Sequence, residues 1–383
     1  MSLRAKAALV GVATDHIGSS PGVDPLEMIA DVARQALDDA GIAMSEVDGL
    51  FTGMQSEFLS TLAVGEYLGI RPAFADNNRL GGSSFLAHAL QAAMALDAGL
   101  CEVVLIVYAS NQRSALGRLQ TSVASNWSSS EAPYDARFPV SSYALCASRH
   151  MHEYGTTREH LAHVAVSARR WAAMNPQAFA RGPLTVEDVL ASPMVSSPLG
   201  KLDCCLVTDG AAALVMTRAD RARALRKPPV YLLGAAASQW HKQVSAMPDL
   251  CSTAAADSGL RARRMAGVEV ADIDVVQLYD AFTINTLMLL EDLGFCAKGE
   301  AGPFVAGGAI APGGSLPVNT NGGGLSFAHP GMYGLFTLVE GVRQLRGEAG
   351  ERQVAGAELC LCQGSGGVFS SQVTNILGTA ATL

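Results

Sequence analysis

The chain has 383 residues, a formal net charge of −8, 49% hydrophobic residues and only 16% charged residues. This length predicts two domains or one large duplicated unit with a sizeable buried core. The acidic balance argues against nucleic acid as the main partner, because phosphate binding needs clustered Lys and Arg. The sequence contains no apolar run of about 18 residues, so we predict no membrane span.

The N-terminal segment LRAKAALVGVATD starts with basic residues and continues as a short apolar run without a convincing cleavage site. We predict a buried first strand there rather than a signal peptide, and a cytoplasmic location. Eight cysteines are spread through the chain, and neither Cys204-Cys205 nor Cys360-x-Cys362 has the paired spacing of a zinc site. The sequence therefore predicts reduced thiols and no bound metal.

Two segments share one residue pattern: AGIAMSEVD at 40–48 and AGVEVADID at 266–274. Each follows a helical pattern and precedes a short apolar strand. Further along, glycines open the helical patterns 81–96 and 322–342, and each of these leads into a second apolar strand. Apolar strands that alternate with amphipathic helices are typical of βαβ units in a parallel sheet. We predict an α/β fold built from two duplicated βαβ-rich halves.

A long insertion interrupts the first half before its closing strand at 209–218. Within it, SNWSSSEAPYDARFP has the composition of a loop, and TTREHLAHVAVSARRWAAM predicts a helix that Thr156 and Glu159 can open with a capping box. Long insertions are more often covers or binding loops than disorder. The predicted organisation is an N-terminal half at 1–110 and 201–225, a loop insertion at 111–200, and a C-terminal half at 226–383.

Four motifs carry a resemblance to a known family: LDCCLVTDGAAALVM at 202–216, VVQLYDAFTINTLMLLEDLGFC at 275–296, PVNTNGGGLSFAHPGMYG at 317–334 and CLCQGSGG at 360–367. With these motifs the whole chain resembles the thiolase superfamily, and within it the sterol-carrier-protein-type thiolases and their lipid-transfer-protein relatives. The resemblance implies a five-layered α/β/α/β/α fold, a homodimer, and chemistry that makes or breaks a carbon–carbon bond beside a thioester. Coenzyme A is implied as part of the substrate, with no covalently bound cofactor.

The resemblance assigns roles to several residues. His329 matches the His-Pro histidine that helps to hold the thioester oxygen. Cys362 and Gly364 match the Cys-x-Gly motif, whose cysteine moves the proton at the α-carbon. The motif that reads His-Asp-Cys-Phe in the sterol-carrier-type enzymes reads Tyr279-Asp280-Ala281-Phe282 in this chain.

The cysteine that becomes acylated in thiolases opens the buried helix of the first half, and its position corresponds here to Gly82. Other registers give Leu80 or Ser83, and none of the three is a cysteine. The acyl-enzyme route is therefore expected to be closed. A serine at this place needs a base, and His88, inside an apolar helix, is better explained as a structural residue. Backbone N–H groups at Gly82 and Ser83 can instead stabilise an oxyanion.

Retro-aldol cleavage of a β-hydroxyacyl thioester needs a base, donors for the enolate oxygen and an acid for the α-carbon, but no covalent intermediate. We predict that four residues fill these roles, namely Tyr333, His329, Tyr279 and Cys362. Tyr333 follows His329 by four residues, so a helix that begins by then would turn both into one cavity. Asp280 and the glycines Gly322, Gly323 and Gly324 are predicted to contact substrate, because a glycine run permits close backbone approach. Each of these residues also has a plainer interpretation, as a turn residue, a packed tyrosine or an inert buried thiol.

Three functions remain open at this point. The leading hypothesis is cysteine-independent retro-aldol cleavage of a β-hydroxyacyl-CoA that carries a steroid or another bulky acyl group. The second is a thiolase-type acyltransferase similar to acetyl-CoA acetyltransferase, and the third is a non-catalytic acyl-CoA or lipid-binding scaffold. Aldolase relatives usually work with a small OB-fold and zinc-ribbon partner, so the resemblance also implies a separate partner protein.

Overall fold

The computed structural model describes residues 2–54, 57–115 and 131–383; residues 125–130 of the predicted loop lie outside these ranges. The strands are β1 (Ala7–Gly18), β2 (Gly49–Thr52), β3 (Phe74–Asn77), β4 (Val103–Ser110), β5 (Met194–Ser196), β6 (Leu199–Gly200), β7 (Asp209–Arg218), β8 (Val230–Gln239), β9 (Val275–Gln277), β10 (Leu359–Gly366) and β11 (Ser371–Gly378). The helices are α1 (Pro25–Ala40), α2 (Ser60–Leu68), α3 (Ser84–Asp97), α4 (Val140–Tyr154), α5 (Arg158–Ala173), α6 (Val186–Ala191), α7 (Ala219–Ala222), α8 (Ala255–Ala266), α9 (Thr283–Asp292), α10 (Ala301–Ala306) and α11 (Gly334–Leu345). Within this part of the chain, no helix is long and apolar enough to cross a bilayer.

Nine of the described strands form one mixed sheet in the order β3-β2-β4-β7-β1-β8-β11-β10-β9. Strand β2 runs parallel to β3 and β4, and β9 runs parallel to β10. All other pairings in this sheet are antiparallel. The predicted parallel sheet is therefore wrong at the centre, because the closing strands β7 and β11 return antiparallel to their neighbours.

The sheet consists of two half-sheets that meet at a narrow joint. The pairs Ala8 with Tyr231 and Leu9 with Val230 join β1 to β8. Helices α3 and α11 pack against strands of both half-sheets and against each other. Helix α1 packs on β1 and β7, while α8 packs on β8 and β11. The result is the predicted α/β/α/β/α order of layers, with α3 and α11 in the centre.

Matched hydrogen bonds show the duplication. Asp48 ends the first repeated segment, and its carboxylate accepts a hydrogen bond of 2.8 Å from the N–H of Val103, where β4 starts. Asp274 ends the second repeated segment and accepts one of 2.9 Å from the N–H of Leu359, where β10 starts. In both halves the repeated aspartate thus fixes the start of the following buried strand.

Two glycines allow the outer helices to lie close to the sheet. A Cβ atom on Gly11 in β1 would lie 2.1 Å from the carbonyl oxygen of Ala36 in α1. A Cβ atom on Gly234 in β8 would lie 2.1 Å from the carbonyl oxygen of Ala262 in α8. No side chain fits at either contact, so glycine is required at equivalent places in the two halves.

The insertion is more regular than predicted, because its described part contains α4, α5, α6 and the β5–β6 hairpin. Helix α5 was predicted, but its capping box was placed one residue too early. Thr157 is the N-cap: its hydroxyl oxygen accepts from the N–H of His160 at 3.3 Å, and its own N–H donates to the His160 ring at 3.2 Å. The Thr156 hydroxyl instead bonds the ring of His150 in α4 at 2.8 Å.

Candidate active site

The two central helices begin side by side. A Cβ atom on Gly334, at the start of α11, would lie 1.9 Å from the carbonyl oxygen of Gly82. A Cβ atom on Gly364 in β10 would lie 2.6 Å from the side chain of Leu86 in α3. These glycines let the start of α3 lie directly against α11 and β10. The positive ends of two helix dipoles are therefore close together.

A cavity of about 290 Å³ opens at these helix starts. Its polar side chains come from Gln112, Tyr143, Cys205, Tyr279, His329 and Ser365. All other described lining residues are apolar or glycine, and they include Gly82. Such a lining, apolar with a few converging polar groups, is typical of a small-molecule site.

Tyr279 and His329 form a hydrogen-bonded pair in this cavity. The Tyr279 hydroxyl and the His329 Nε2 atom lie 3.0 Å apart, and the two rings meet edge to face. The backbone N–H of His329 donates to the Thr208 hydroxyl oxygen at 3.0 Å, which fixes the chain at the histidine. Burial lowers the pKa of His329 to about 4 and raises the pKa of Tyr279 well above its ordinary value. The pair is therefore uncharged at neutral pH.

The ring of Tyr279 fills the space beside Gly82. A Cβ atom on Gly82 would lie 1.8 Å from Cε2 and 2.4 Å from Cζ of Tyr279. No side chain can therefore stand at Gly82 while Tyr279 keeps this position. A cysteine at position 82 is therefore incompatible with the Tyr279 phenol in this position.

The other candidates for the nucleophile position do not face the cavity with a reactive side chain. Ser83 is fully buried, and its hydroxyl donates to the Leu80 carbonyl oxygen at 2.8 Å and bonds the Ser371 hydroxyl at 2.9 Å. His88 packs against Phe51 outside the cavity lining, and burial lowers its pKa to about 3. The Ser83–His88 arrangement that an activated serine needs does not form.

Tyr333 lies behind the cavity wall. It is fully buried, donates its hydroxyl to Asn321 Oδ1 at 2.8 Å and packs edge to face on Tyr279 at a ring distance of 6.0 Å. The prediction that one helix turns Tyr333 and His329 into the same cavity is wrong, because α11 begins only at Gly334. His329 lies in an irregular segment between a π-helical turn and α11, and it alone of the two lines the cavity.

Cys362 does not line the cavity. It is fully buried, its Sγ atom lies 3.3 Å from the Thr337 carbonyl oxygen, and a Cβ atom on Gly341 would lie 2.9 Å from that sulfur. Thr337 and Gly341 belong to α11. This placement corrects the expectation that the Cys362 thiol reaches a substrate α-carbon. From the same tail, Ser365 lines the cavity instead.

Asp280 and the glycine run bind each other rather than the cavity. The buried carboxylate accepts hydrogen bonds of 2.6 Å from Gly324 N–H and 3.4 Å from Leu325 N–H. A Cβ atom on Gly323 would lie 2.1 Å from the same carboxylate. Burial raises the pKa of Asp280 to about 7. Neither Asp280 nor glycines 322–324 line the cavity; Asp280 instead holds the turn before His329, and Gly322 packs against Ala172.

Sequence reasoning missed five polar residues of the site. Gln112, Tyr143, Cys205 and Ser365 line the cavity, and Asn321 holds the Tyr333 hydroxyl. Burial raises the pKa of Cys205, so its thiol is protonated at neutral pH. Cys205 and Asn321 lie inside the quoted motifs, but no local pattern indicates which way their side chains point.

One further cluster bears on metal binding. Among the residues that the structure describes, Glu153, Asp249 and Cys251 bring three possible ligand atoms within 4.8 Å of one another. The two carboxylates are exposed, and none of the three residues lines the cavity. The expectation of no bound metal stays a prediction.

Comparison with known proteins places this architecture in a family. The family described as thiolase C-terminal domain-like matches residues 236–379. The chain is 37% identical to the 17-hydroxy-3-oxo-4-pregnene-20-carboxyl-CoA lyase of Mycobacterium tuberculosis, over 96% of this chain and 98% of that protein. It is 34% identical to an acetyl-CoA acetyltransferase of Methanothermobacter thermautotrophicus, over 96% and 98% of the two proteins. The solved structure of the Ltp2-ChsH2(DUF35) aldolase superposes with a TM-score of 0.90 at 34% identity and covers 98% of each chain. The chain therefore belongs to the thiolase superfamily, as its motifs predicted.

Proposed function

We propose that this enzyme cleaves the carbon–carbon bond next to the thioester of a β-hydroxyacyl-CoA by a retro-aldol reaction, without an acyl-enzyme. One observation carries the proposal: the Tyr279 ring fills the space of a nucleophile at Gly82 and hydrogen-bonds His329. The lyase and aldolase among the similar proteins support this reading.

In the proposed reaction, Tyr279 and His329 act as a proton relay. Burial raises the pKa of Tyr279, so the phenol is protonated before the reaction starts. The neutral imidazole can instead take the phenol proton at Nε2 while the Tyr279 oxygen takes the proton of the substrate β-hydroxyl. The β-carbon becomes a carbonyl, the bond between the α- and β-carbons breaks, and its electron pair forms the enolate of the thioester. The relay then delivers this proton to the α-carbon, so the protein has no net gain or loss of protons.

The enolate needs stabilisation during this step. Protonated His329 would lie beside it, and Gly81 and Gly82, in the turn that leads into α3, line the same cavity. Helix starts present backbone N–H groups and a partial positive charge, and one such donor is typically worth about 3 kcal/mol in the transition state. Tyr333 is proposed to keep the Tyr279 ring in place from behind, rather than to touch the substrate.

The substrate is proposed to carry a bulky apolar acyl group. Phe138, Phe282 and Met332 line the cavity, and Phe138 is 47% exposed, so the apolar wall extends to the protein surface. A steroid acyl group is the specific proposal, because the lyase relative is named for a pregnene carboxyl-CoA. We further propose that the enzyme forms a homodimer and works with a separate OB-fold and zinc-ribbon partner protein. The ChsH2(DUF35) component of the similar aldolase structure supports the partner.

The acyltransferase alternative has one observation in its favour, which is the Cys205 thiol in the cavity wall. The raised pKa of Cys205 counts against acyl transfer, because the thiolate is the nucleophile in that reaction. The scaffold alternative predicts thioester binding without any turnover.

Product analysis and mass measurement separate the three functions. Incubation with a β-hydroxyacyl-CoA, with and without the OB-fold partner, is expected to release a carbonyl product and a shortened acyl-CoA. The intact mass of the protein should stay unchanged, and Cys205→Ser should retain activity. An acyl adduct that Cys205→Ser abolishes would establish the acyltransferase instead, and binding without product in either incubation would favour the scaffold.

A further inference from the structure

Gln112 is presented to the cavity by a fixed loop. It lies just after β4, next to two residues whose backbone N–H groups donate to the fully buried carboxylate of Asp209. The Arg113 N–H bond measures 2.8 Å and the Ser114 N–H bond measures 2.9 Å. Asp209 therefore anchors the backbone from which the Gln112 side chain reaches the cavity.

The amide oxygen of Gln112 lies on the wall that also carries the histidine. A Cβ atom on Gly331 would lie 2.4 Å from Gln112 Oε1, and Gly331 follows His329 by two residues. Gly331 has a φ of +90°, which glycine adopts without strain. Glycine at this position therefore leaves the room that the glutamine amide occupies beside the reactive pair.

This amide oxygen lacks a hydrogen-bond donor in the described part of the chain. Gln112 Oε1 is buried and has no hydrogen-bond partner among the residues that the structure describes. Tyr279 and His329 do not supply that donor, because they hydrogen-bond each other. A buried acceptor without a donor is costly, so a ligand that brings a donor to this oxygen gains a hydrogen bond in the cavity.

We propose that Gln112 is a specificity residue whose Oε1 atom accepts a hydrogen bond from an uncharged O–H or N–H group of the bound thioester. The proposal rests on the proposed function, since it takes the cavity to be the acyl-CoA site. An amide oxygen repels phosphate and carboxylate groups, which are acceptors themselves. A β-hydroxyacyl-CoA offers suitable donors in the amide N–H groups of its pantetheine arm, because its β-hydroxyl proton goes to Tyr279 in the proposed reaction.

The test compares two thioesters on full-length protein. Binding is measured in a Tyr279→Phe background, which blocks the proposed turnover, with a β-hydroxyacyl-CoA and with the matching saturated acyl-CoA. Adding Gln112→Leu is expected to weaken binding about 2- to 12-fold, the range for one net hydrogen bond. Equal weakening for both ligands is the expected result and identifies a pantetheine amide as the donor. Weakening for the hydroxylated ligand alone would place the β-hydroxyl on Gln112 and contradict its proton transfer to Tyr279.

Thermal unfolding distinguishes ligand recognition from a structural role. Removing an unpaired buried acceptor should leave the unfolding temperature of the ligand-free protein unchanged or raised, whereas a structural role lowers it. Thr52→Val is the matched control, because Thr52 Oγ1 in β2 is likewise buried and unpartnered but lies outside the cavity lining. Gln112→Met provides a second variant if the leucine variant does not fold.

Unchanged affinity of folded Gln112→Leu or Gln112→Met protein for both thioesters would overturn the inference. That outcome leaves the proposed function intact if the unsubstituted enzyme still releases the carbonyl product. Failure of the unsubstituted protein to bind either thioester would instead refute the proposed function and this inference together.

Discussion

Gly82→Ala tests the central steric claim with the smallest possible change. The new methyl group would lie 1.8 Å from Tyr279 Cε2, while ordinary contacts between carbon atoms measure about 3.5–4 Å. The ring must therefore move by roughly 2 Å, which is enough to break its 3.0 Å hydrogen bond to His329. Gly82 does not have a positive φ, so backbone strain does not contribute.

Two effects follow from this displacement. Overpacking should lower the free energy of unfolding by about 1–3 kcal/mol, as is typical for an added methylene in a close-packed core. Loss of the relay should lower kcat by about 10²-fold or more, the contribution typical of a positioned acid–base group. Melting curves measure the first effect and product release from a β-hydroxyacyl-CoA measures the second.

A matched control and a second substitution isolate the contact. Gly182→Ala adds the same methyl group in open space at an exposed glycine, and stability should change by less than about 0.5 kcal/mol. Combining Gly82→Ala with Tyr279→Leu should cost less stability than the sum of the two single changes, because the second removes the clash. Full activity and an unchanged melting temperature in Gly82→Ala would refute the reasoning.

Four further predictions concern the same site. Tyr279→Phe keeps the ring but removes the hydroxyl, so kcat should fall about 10²- to 10⁴-fold while thioester binding persists; a small change would assign the relay elsewhere. The pKa of His329 is lowered to about 4 from an unfolded value of about 6.5, so the unfolded state binds more protons between these pH values. The contribution of neutral His329 to the free energy of unfolding is complete above about pH 6.5 and falls by up to about 3 kcal/mol as the pH is lowered to about 4. His329→Gln should flatten that part of a pH–stability curve. Asp280→Ala leaves the Gly324 N–H without its acceptor and should lower the free energy of unfolding by about 1–3 kcal/mol, whereas Asp280→Asn, which keeps an acceptor oxygen, should lower it less in the same denaturation assay. Cys362→Ala should keep kcat/KM within a few-fold, and a loss near that of Tyr279→Phe would restore the thiol to the mechanism.

Much of the fold is readable from the sequence because it rests on local patterns. The repeated segments ending in Asp48 and Asp274 have the same structural role in the two halves. The closing strand β7 has the bounds that its apolar run predicts, and the motif comparison identified the superfamily. The strand direction at the centre of the sheet was not predictable in this way, because antiparallel β7 is buried on both faces and so has the continuous apolar run typical of parallel strands.

Residue identities, fixed by the sequence alone, established that no cysteine stands at Gly82 and that a phenol replaces the histidine of the related motif at Tyr279. Only the tertiary structure decided that these two differences fill a single volume, and that Cys362 faces α11. The physical reason is direction: β9 ends at Gln277 and α11 begins at Gly334, so Tyr279 and His329 lie in irregular backbone where no 2.0 or 3.6 period sets the side-chain orientation. Packing between distant segments sets it instead, through the Asp280 clamp and the glycine contacts of the central helices.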